Sequence, residues 1–193
     1  MIAKICLYVS DAEIIMCDFK GDDSLSYLSN AKGFYRYTEC FDGLDMFYNR
    51  FVERQNGNDA SRTPLILYFD ELAAAVNHCE KKSADLLKKK IANLLMLGRS
   101  FSCFLILAMQ RPDAEYLSGR DNIQLVVSLN NLSPQGKQMF FSEVKHLMVD
   151  DRKRGTGYML ESGANLYKVI VPSVQNMDKL HQTILAKLNA QCF

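Results

Sequence analysis

The sequence predicts an α/β fold in which a mostly parallel central sheet lies between helical layers, with a hairpin and a helix at the end. Three observations carry this prediction. Extended and helical hydrophobic patterns alternate along the chain. Two extended runs, 65–70 and 103–109, are almost wholly apolar, as parallel strands buried on both faces must be. The last third turns instead to two extended runs around Ser162-Gly163-Ala164-Asn165, a hairpin pattern.

Each element follows from its residues. Residues 2–9 read as the tail of a helix, and 13–18 as a strand that ends on the carboxylate of Asp18. Asp22 and Asp23 lead a short helix over 24–30, where acidic residues suit the positive end of the helix dipole. A short aromatic strand over 33–38 follows, then a helix over 44–54 that gives way to the loop Asn56-Gly57-Asn58-Asp59. Pro64 introduces the strand 65–70. The helix 83–97 aligns Leu87, Ile91, Leu94 and Leu95 on one stripe and turns Lys88 and Lys89 away. After the strand 103–109 come a strand over 124–129, a helix over 134–141 and the hairpin strands 156–160 and 166–171. Met177, Leu180, Ile184, Leu185 and Leu188 form the stripe of a last amphipathic helix. Without an internal repeat, a low-complexity tract or a linker, the expectation is one domain over residues 1–193.

Composition narrows the function. Lys and Arg number 23 against 22 Asp and Glu, so adhesion to nucleic acid by bulk charge is excluded and any DNA contact must be local. The basic clusters are Lys81-Lys82, Lys88-Lys89-Lys90 and Arg152-Lys153-Arg154. No apolar run approaches the roughly 18 residues of a membrane span, and the start lacks a secretory layout, which leads to the expectation of a cytoplasmic chain. The six cysteines form no Cys-x-x-Cys pair, and His78-Cys79 lacks a second pair to complete a zinc set, so reduced thiols are expected.

The sharpest local signal is Leu65-Ile66-Leu67-Tyr68-Phe69-Asp70-Glu71. A carboxylate at the carboxyl end of a buried strand can hold Mg²⁺ beside a triphosphate, and a second one after it can polarise an attacking water. The strand 103–109 runs into Gln110-Arg111-Pro112, which places an amide where a γ-phosphate or a water could be sensed.

At these residues the chain resembles the FtsK/SpoIIIE DNA-pumping ATPases of the RecA-like, HerA-related branch. Asp70-Glu71, Leu97-Gly98-Arg99-Ser100 and Ala108-Met109-Gln110-Arg111-Pro112 follow the order of that family's motifs, with Met109 where Thr is usual. Asp18-Phe19-Lys20-Gly21 is similar to its Asp-Pro-Lys segment, with Phe in the Pro position. Arg120-Asp121-Asn122 and Gly155-Thr156-Gly157-Tyr158 match later stretches, so the resemblance covers nearly the whole chain. The layout is most similar to the coupling-type translocases of mobile Gram-positive elements.

The resemblance implies a RecA-like three-layer sandwich and an ATP-driven double-stranded DNA translocase working as a hexameric ring, for chromosome partition or conjugative transfer. It implies that Asp70 positions Mg²⁺, Glu71 is the general base, Gln110 binds and senses the nucleotide, and Arg99 or Arg111 serves a neighbour's γ-phosphate. The sequence has no G-x-x-x-x-G-K-[ST]; Gly136-Lys137 lacks both the leading glycine and the following Ser or Thr. The expectation is therefore a core that starts after its phosphate cradle, binds neither ATP nor Mg²⁺ tightly alone, turns over little and self-associates through an uncovered sheet edge. The alternatives are a non-catalytic pseudo-ATPase or ring interaction module, and a type VII secretion-like protein-export ATPase.

Overall fold

The computed structural model describes residues 9, 11–110, 113 and 115–191. The helix expected over 2–9 falls almost wholly outside them. Strands β1 (Glu13–Asp18), β2 (Phe34–Arg36), β3 (Leu65–Asp70) and β4 (Cys103–Ala108) form one sheet in the order β2-β1-β3-β4, parallel at every pairing. The first three helices are α1 (Cys40–Gln55), α2 (Leu72–His78) and α3 (Lys81–Leu97). The short helix α2 was not legible in sequence. Its apolar residues Leu72, Ala75 and Val76 mark only two turns, too few to establish a period.

Strand alternation builds the layers. Ile15, Cys17, Leu65, Leu67, Phe69 and Cys103 face one side, where Leu44, Phe47 and Phe51 of α1 and Leu87, Ile91 and Leu94 of α3 cover them. Ile14, Met16 and Ile66 face the other side, against Leu28, Ala31 and the last helix, α5 (Met177–Asn189), through Ile184 and Leu188. Gln191 locks that layer down, its side-chain oxygen accepting from the Ile14 amide in the buried interior. Burial pushes the Cys17 thiol well up, so it stays a protonated core filler.

Arg54 ties α1 to the start of β4. Its side chain is wholly buried; Nε donates to Asp59 at 3.1 Å, and Nη1 to the Phe101 carbonyl at 3.0 Å. Gly98 ends α3 where a Cβ would meet the Cys103 carbonyl oxygen at 2.6 Å, which only glycine avoids.

The strand expected over 124–129 takes a different place from the first four. Among the described residues β5 (Leu125–Leu129) pairs only with β6 (Thr156–Glu161), which pairs with β7 (Asn165–Ile170), giving a separate antiparallel sheet. Phe141, Val144, Met148, Tyr158 and Leu160 pack on one of its faces beside α4 (Pro134–Phe140). Leu125, Val127 and Leu129 lie on the other and are about half exposed.

Candidate active site at the carboxyl ends of the parallel strands

Parallel pairing without a register slip brings three strand ends level. Asp18 pairs with Asp70, and Asp70 with Ala108, so the ends of β1, β3 and β4 form one row. Ligands of parallel α/β sheets bind outside this edge, where the chain leaves the sheet in loops.

Asp70 is partly buried. Burial first, then the charges of Glu71 and Asp18, push its carboxyl above the ordinary aspartate range. The same surroundings act on Tyr68, whose phenol is pushed up to about 12, chiefly by burial and then by Asp70 and Asp18. The strand end is thus a negative, partly desolvated pole that favours a cation.

Glu71 leaves the strand in the left-handed region, φ 57° and ψ 47°, which costs a non-glycine residue roughly 1–2 kcal/mol. The turn is held on both sides. The Glu71 amide donates to the Ala108 carbonyl at 2.9 Å, and its own carbonyl accepts from Ala74 at 2.9 Å and Ala75 at 3.2 Å. Strain maintained by its surroundings is common where a side chain must be aimed. Here the carboxylate meets Gln110, whose Nε2 donates to Oε1 at 2.8 Å.

Asp18 is 1% exposed. Its Oδ1 accepts from the Gly21 amide at 2.9 Å, while Oδ2 stands 3.6 Å from Arg36 Nε, too far for a hydrogen bond. Both of those atoms are buried and lack a hydrogen-bond partner. Gly21, at φ +72°, lies so close under the Tyr37 ring that a Cβ would come within 2.3 Å of it.

Of the residues singled out in the sequence, Asp70, Glu71 and Gln110 come together, and Asp18 joins them as a register neighbour. Lys20 is exposed on the loop after β1. Arg99 lies before β4, at the opposite end of the sheet; the strand alone separates it from Gln110 by about 17 Å. Arg111 lies outside the described residues. Sequence reasoning passed over Arg36, whose only signal was a cation at the end of a three-residue strand.

Among the described residues, no group of three or more His, Cys, Asp or Glu side chains could enclose a metal ion. Two partly buried carboxylates on one strand end still suit Mg²⁺, which keeps several waters and takes one or two protein carboxylates beside phosphate oxygens.

No family model matches the chain. It is 36% identical over 114 residues to the Ftsk domain-containing protein YdcQ of Bacillus subtilis (strain 168), a match covering 56% of this chain and 24% of that protein. The likeness is to an FtsK domain-containing protein. Solved structures similar to this chain include the cytoplasmic domain of the type VII secretion ATPase EccC of Thermomonospora curvata. That likeness has a TM-score of 0.64 at 17% identity, over 95% of this chain and 25% of the other. EssC (ATPases 2 and 3) of Geobacillus thermodenitrificans follows at 0.60 and 12%, over 93% and 38%. The genome packaging NTPase B204 of Sulfolobus turreted icosahedral virus 2, in complex with AMPPCP, has 0.57 and 15%, over 89% and 87%. The fold is therefore that of RecA-like P-loop ATPase domains, and the chain spans about a quarter of the length of the curated relative it matches.

Proposed function

We propose that this chain is part of an ATP-driven motor that moves double-stranded DNA, of the chromosome-partition or conjugative-transfer kind, and carries its Walker B and sensor residues. The observation that carries the reading is the Gln110–Glu71 hydrogen bond, 2.8 Å long, beside Asp70 at the end of a parallel sheet. It joins two residues 39 positions apart, each expected separately to act on one nucleotide.

In this reading Asp70 would orient the water shell of Mg²⁺, and Glu71 Oε would take the proton of the attacking water. Gln110 would orient Glu71 with one amide hydrogen and keep the other for a phosphate oxygen or water. Bound Mg²⁺-ATP supplies the transferable phosphoryl group and, through the metal, neutralises the charge that develops on it. Arg99 faces away from this site, so a role at a nucleotide would be in a neighbour's, within a ring of six copies; Arg111 shares that assignment. Among the described residues no helix is long and apolar enough to cross a membrane. A cytoplasmic, self-associating motor domain around DNA completes the proposal.

A second reading is a non-catalytic ring module. Calorimetry with Mg-ATPγS separates the two, on this chain and on a version with a P-loop-bearing segment joined ahead of residue 1. The motor reading expects binding only in the extended form, with turnover stimulated by duplex DNA and lowered about 10²–10⁴-fold by Glu71→Gln. Binding in neither form supports the ring module. Stimulation by an unfolded polypeptide instead of DNA points to protein export.

A further inference from the structure

Two surface features of the chain match each other in shape and in sign. The first is a cleft of about 310 Å³ between the start of α1 and the start of α3. Phe41, Leu44, Leu86 and Leu87 give it apolar walls, and Leu86 is 54% exposed. Helical spacing sets its charge. Glu80, Ser83, Leu87 and Lys90, three or four residues apart, stand on one bank, whereas Lys81, Lys82, Lys88 and Lys89 lie about 100° or more round the helix from Ser83. Lys90 pairs with Asp45 and lies over the Tyr48 ring, so it adds no free charge. Glu80, and Asp42 beside Phe41, are exposed and have no ion-pair partner among the described residues. The cleft is an apolar hole with an acidic rim.

The second feature is the loop over 145–154. Leu147 is 56% exposed and Val149 48%, on either side of the buried Met148. The backbone holds both tips out. The Val149 amide donates to the hydroxyl of the buried Tyr158 at 2.8 Å, and the Leu147 and Met148 amides close turns onto the Val144 and Lys145 carbonyls. The Arg152 amide donates to the Asn131 side chain at 3.0 Å. The acids of the loop are neutralised, Asp150 by Lys137 and Asp151 by Arg152. Lys145, Lys153 and Arg154 are left exposed without an ion-pair partner among the described residues. The loop is an apolar knob with a basic collar.

Size agrees with sign. An apolar cavity of about 150 Å³ holds one six-membered ring, so a cleft of 310 Å³ has room for two branched side chains. Leu147 is more than half exposed, so the knob does not enter the cleft of its own chain.

We propose that the knob of one copy seats in the cleft of a second copy, Leu147 and Val149 against Phe41, Leu86 and Leu87, with the basic collar facing Glu80 and Asp42. Knob and cleft are different patches, so the contact is heterologous. Each pair of copies keeps one knob and one cleft free, and the assembly continues into a closed ring or an open filament. The inference rests on the self-association in the reading above and on no other part of it; neither nucleotide nor DNA enters.

Sedimentation velocity over a concentration series tests this on the chain itself. The parent should associate beyond a dimer. Leu147→Glu blunts the knob, and Ser83→Trp fills the cleft with an indole; each should weaken association at least tenfold while melting like the parent. Mixed one to one, the two variants should form a dimer that grows no further, because one supplies the intact cleft and the other the intact knob. Lys153→Glu with Arg154→Glu should weaken association about tenfold. Hydrogen exchange should slow at amides of 79–90 and 145–150 as the parent assembles. Parent-like association of either single variant, or a mixture that stays monomeric, overturns the proposal and leaves self-association through another surface standing. A parent that stays monomeric up to about 1 mM overturns both. Duplex DNA bound by a monomeric parent and lost with Lys153→Glu and Arg154→Glu also overturns it, because the loop then serves nucleic acid.

Discussion

Asp18 and Asp70 end adjacent parallel strands at the same register position, so their side chains leave the same face of the sheet about one strand spacing apart. One is buried against Arg36 and the Gly21 amide; the other stands at the opening of the site. Two carboxylates so placed make the strand end cation-seeking, and the raised carboxyl of Asp70 ties the stability of the fold to pH.

For Asp70 the sign follows from the direction of its shift. Burial and like charge raise its folded-state carboxyl above the unfolded value, so the ionised form costs the folded state stability as pH rises through the raised value. Asp70→Asn should therefore unfold at a higher temperature than the parent at pH 7. Below about pH 4, the ordinary aspartate range, both side chains are neutral and the difference should close. Melting curves from pH 3 to 8 test this; a parent more stable than the variant at pH 7 would contradict it.

The left-handed backbone at Glu71 sets stability against chemistry. Glycine adopts φ 57° without the steric cost, so Glu71→Gly should stabilise the fold, by up to about 1 kcal/mol after the larger unfolded-state freedom of glycine is counted. The same change removes the carboxylate held by Gln110 and should abolish turnover in an active form. Urea unfolding and an ATPase assay on one preparation read both effects.

Gln110 can be examined through Glu71. Gln110→Glu places a second carboxylate where an amide now donates, which raises the Glu71 carboxyl and moves the acid limb of the pH–rate profile to higher pH. Gln110→Ala should lower the rate about 10²-fold without that displacement. Identical profiles for the two variants would show that Gln110 does not act through Glu71.

Arg54 is held by Asp59 and the Phe101 carbonyl at the end of the sheet where β4 begins, away from Asp70, and its loss should be felt in stability. Arg54→Met removes the donor to the Phe101 carbonyl and the partner of Asp59 inside the core, at a cost of about 2–4 kcal/mol. Chemical denaturation measures it, and a loss below about 0.5 kcal/mol would mean that the buried guanidinium is dispensable.

Much of this fold was legible because burial writes itself into composition. Leu65–Asp70 and Cys103–Ala108 are apolar on both faces, and that pattern has few outcomes other than a central parallel strand. The positions of Asp70, Glu71 and Gln110 were legible for a related reason: polar groups at or after the ends of such runs leave the sheet at its carboxyl edge. The helix Leu72–His78 was too short to show a period, and β5 reads alike whether it pairs with β4 or with β6. Pairing partners are a matter of register and direction, which a single strand's residues do not encode.

By itself, then, the sequence determined the strands, the helical stripes and the three polar residues that follow the strands, because each depends on local period and burial. Only the tertiary structure decided that Asp18 stands level with Asp70 and that Gln110 reaches Glu71. It alone separated Arg99 from both by the length of a strand and left a groove between β4 and β5. Those are distances between residues far apart in the chain, and they are fixed by strand order and register rather than by any local pattern.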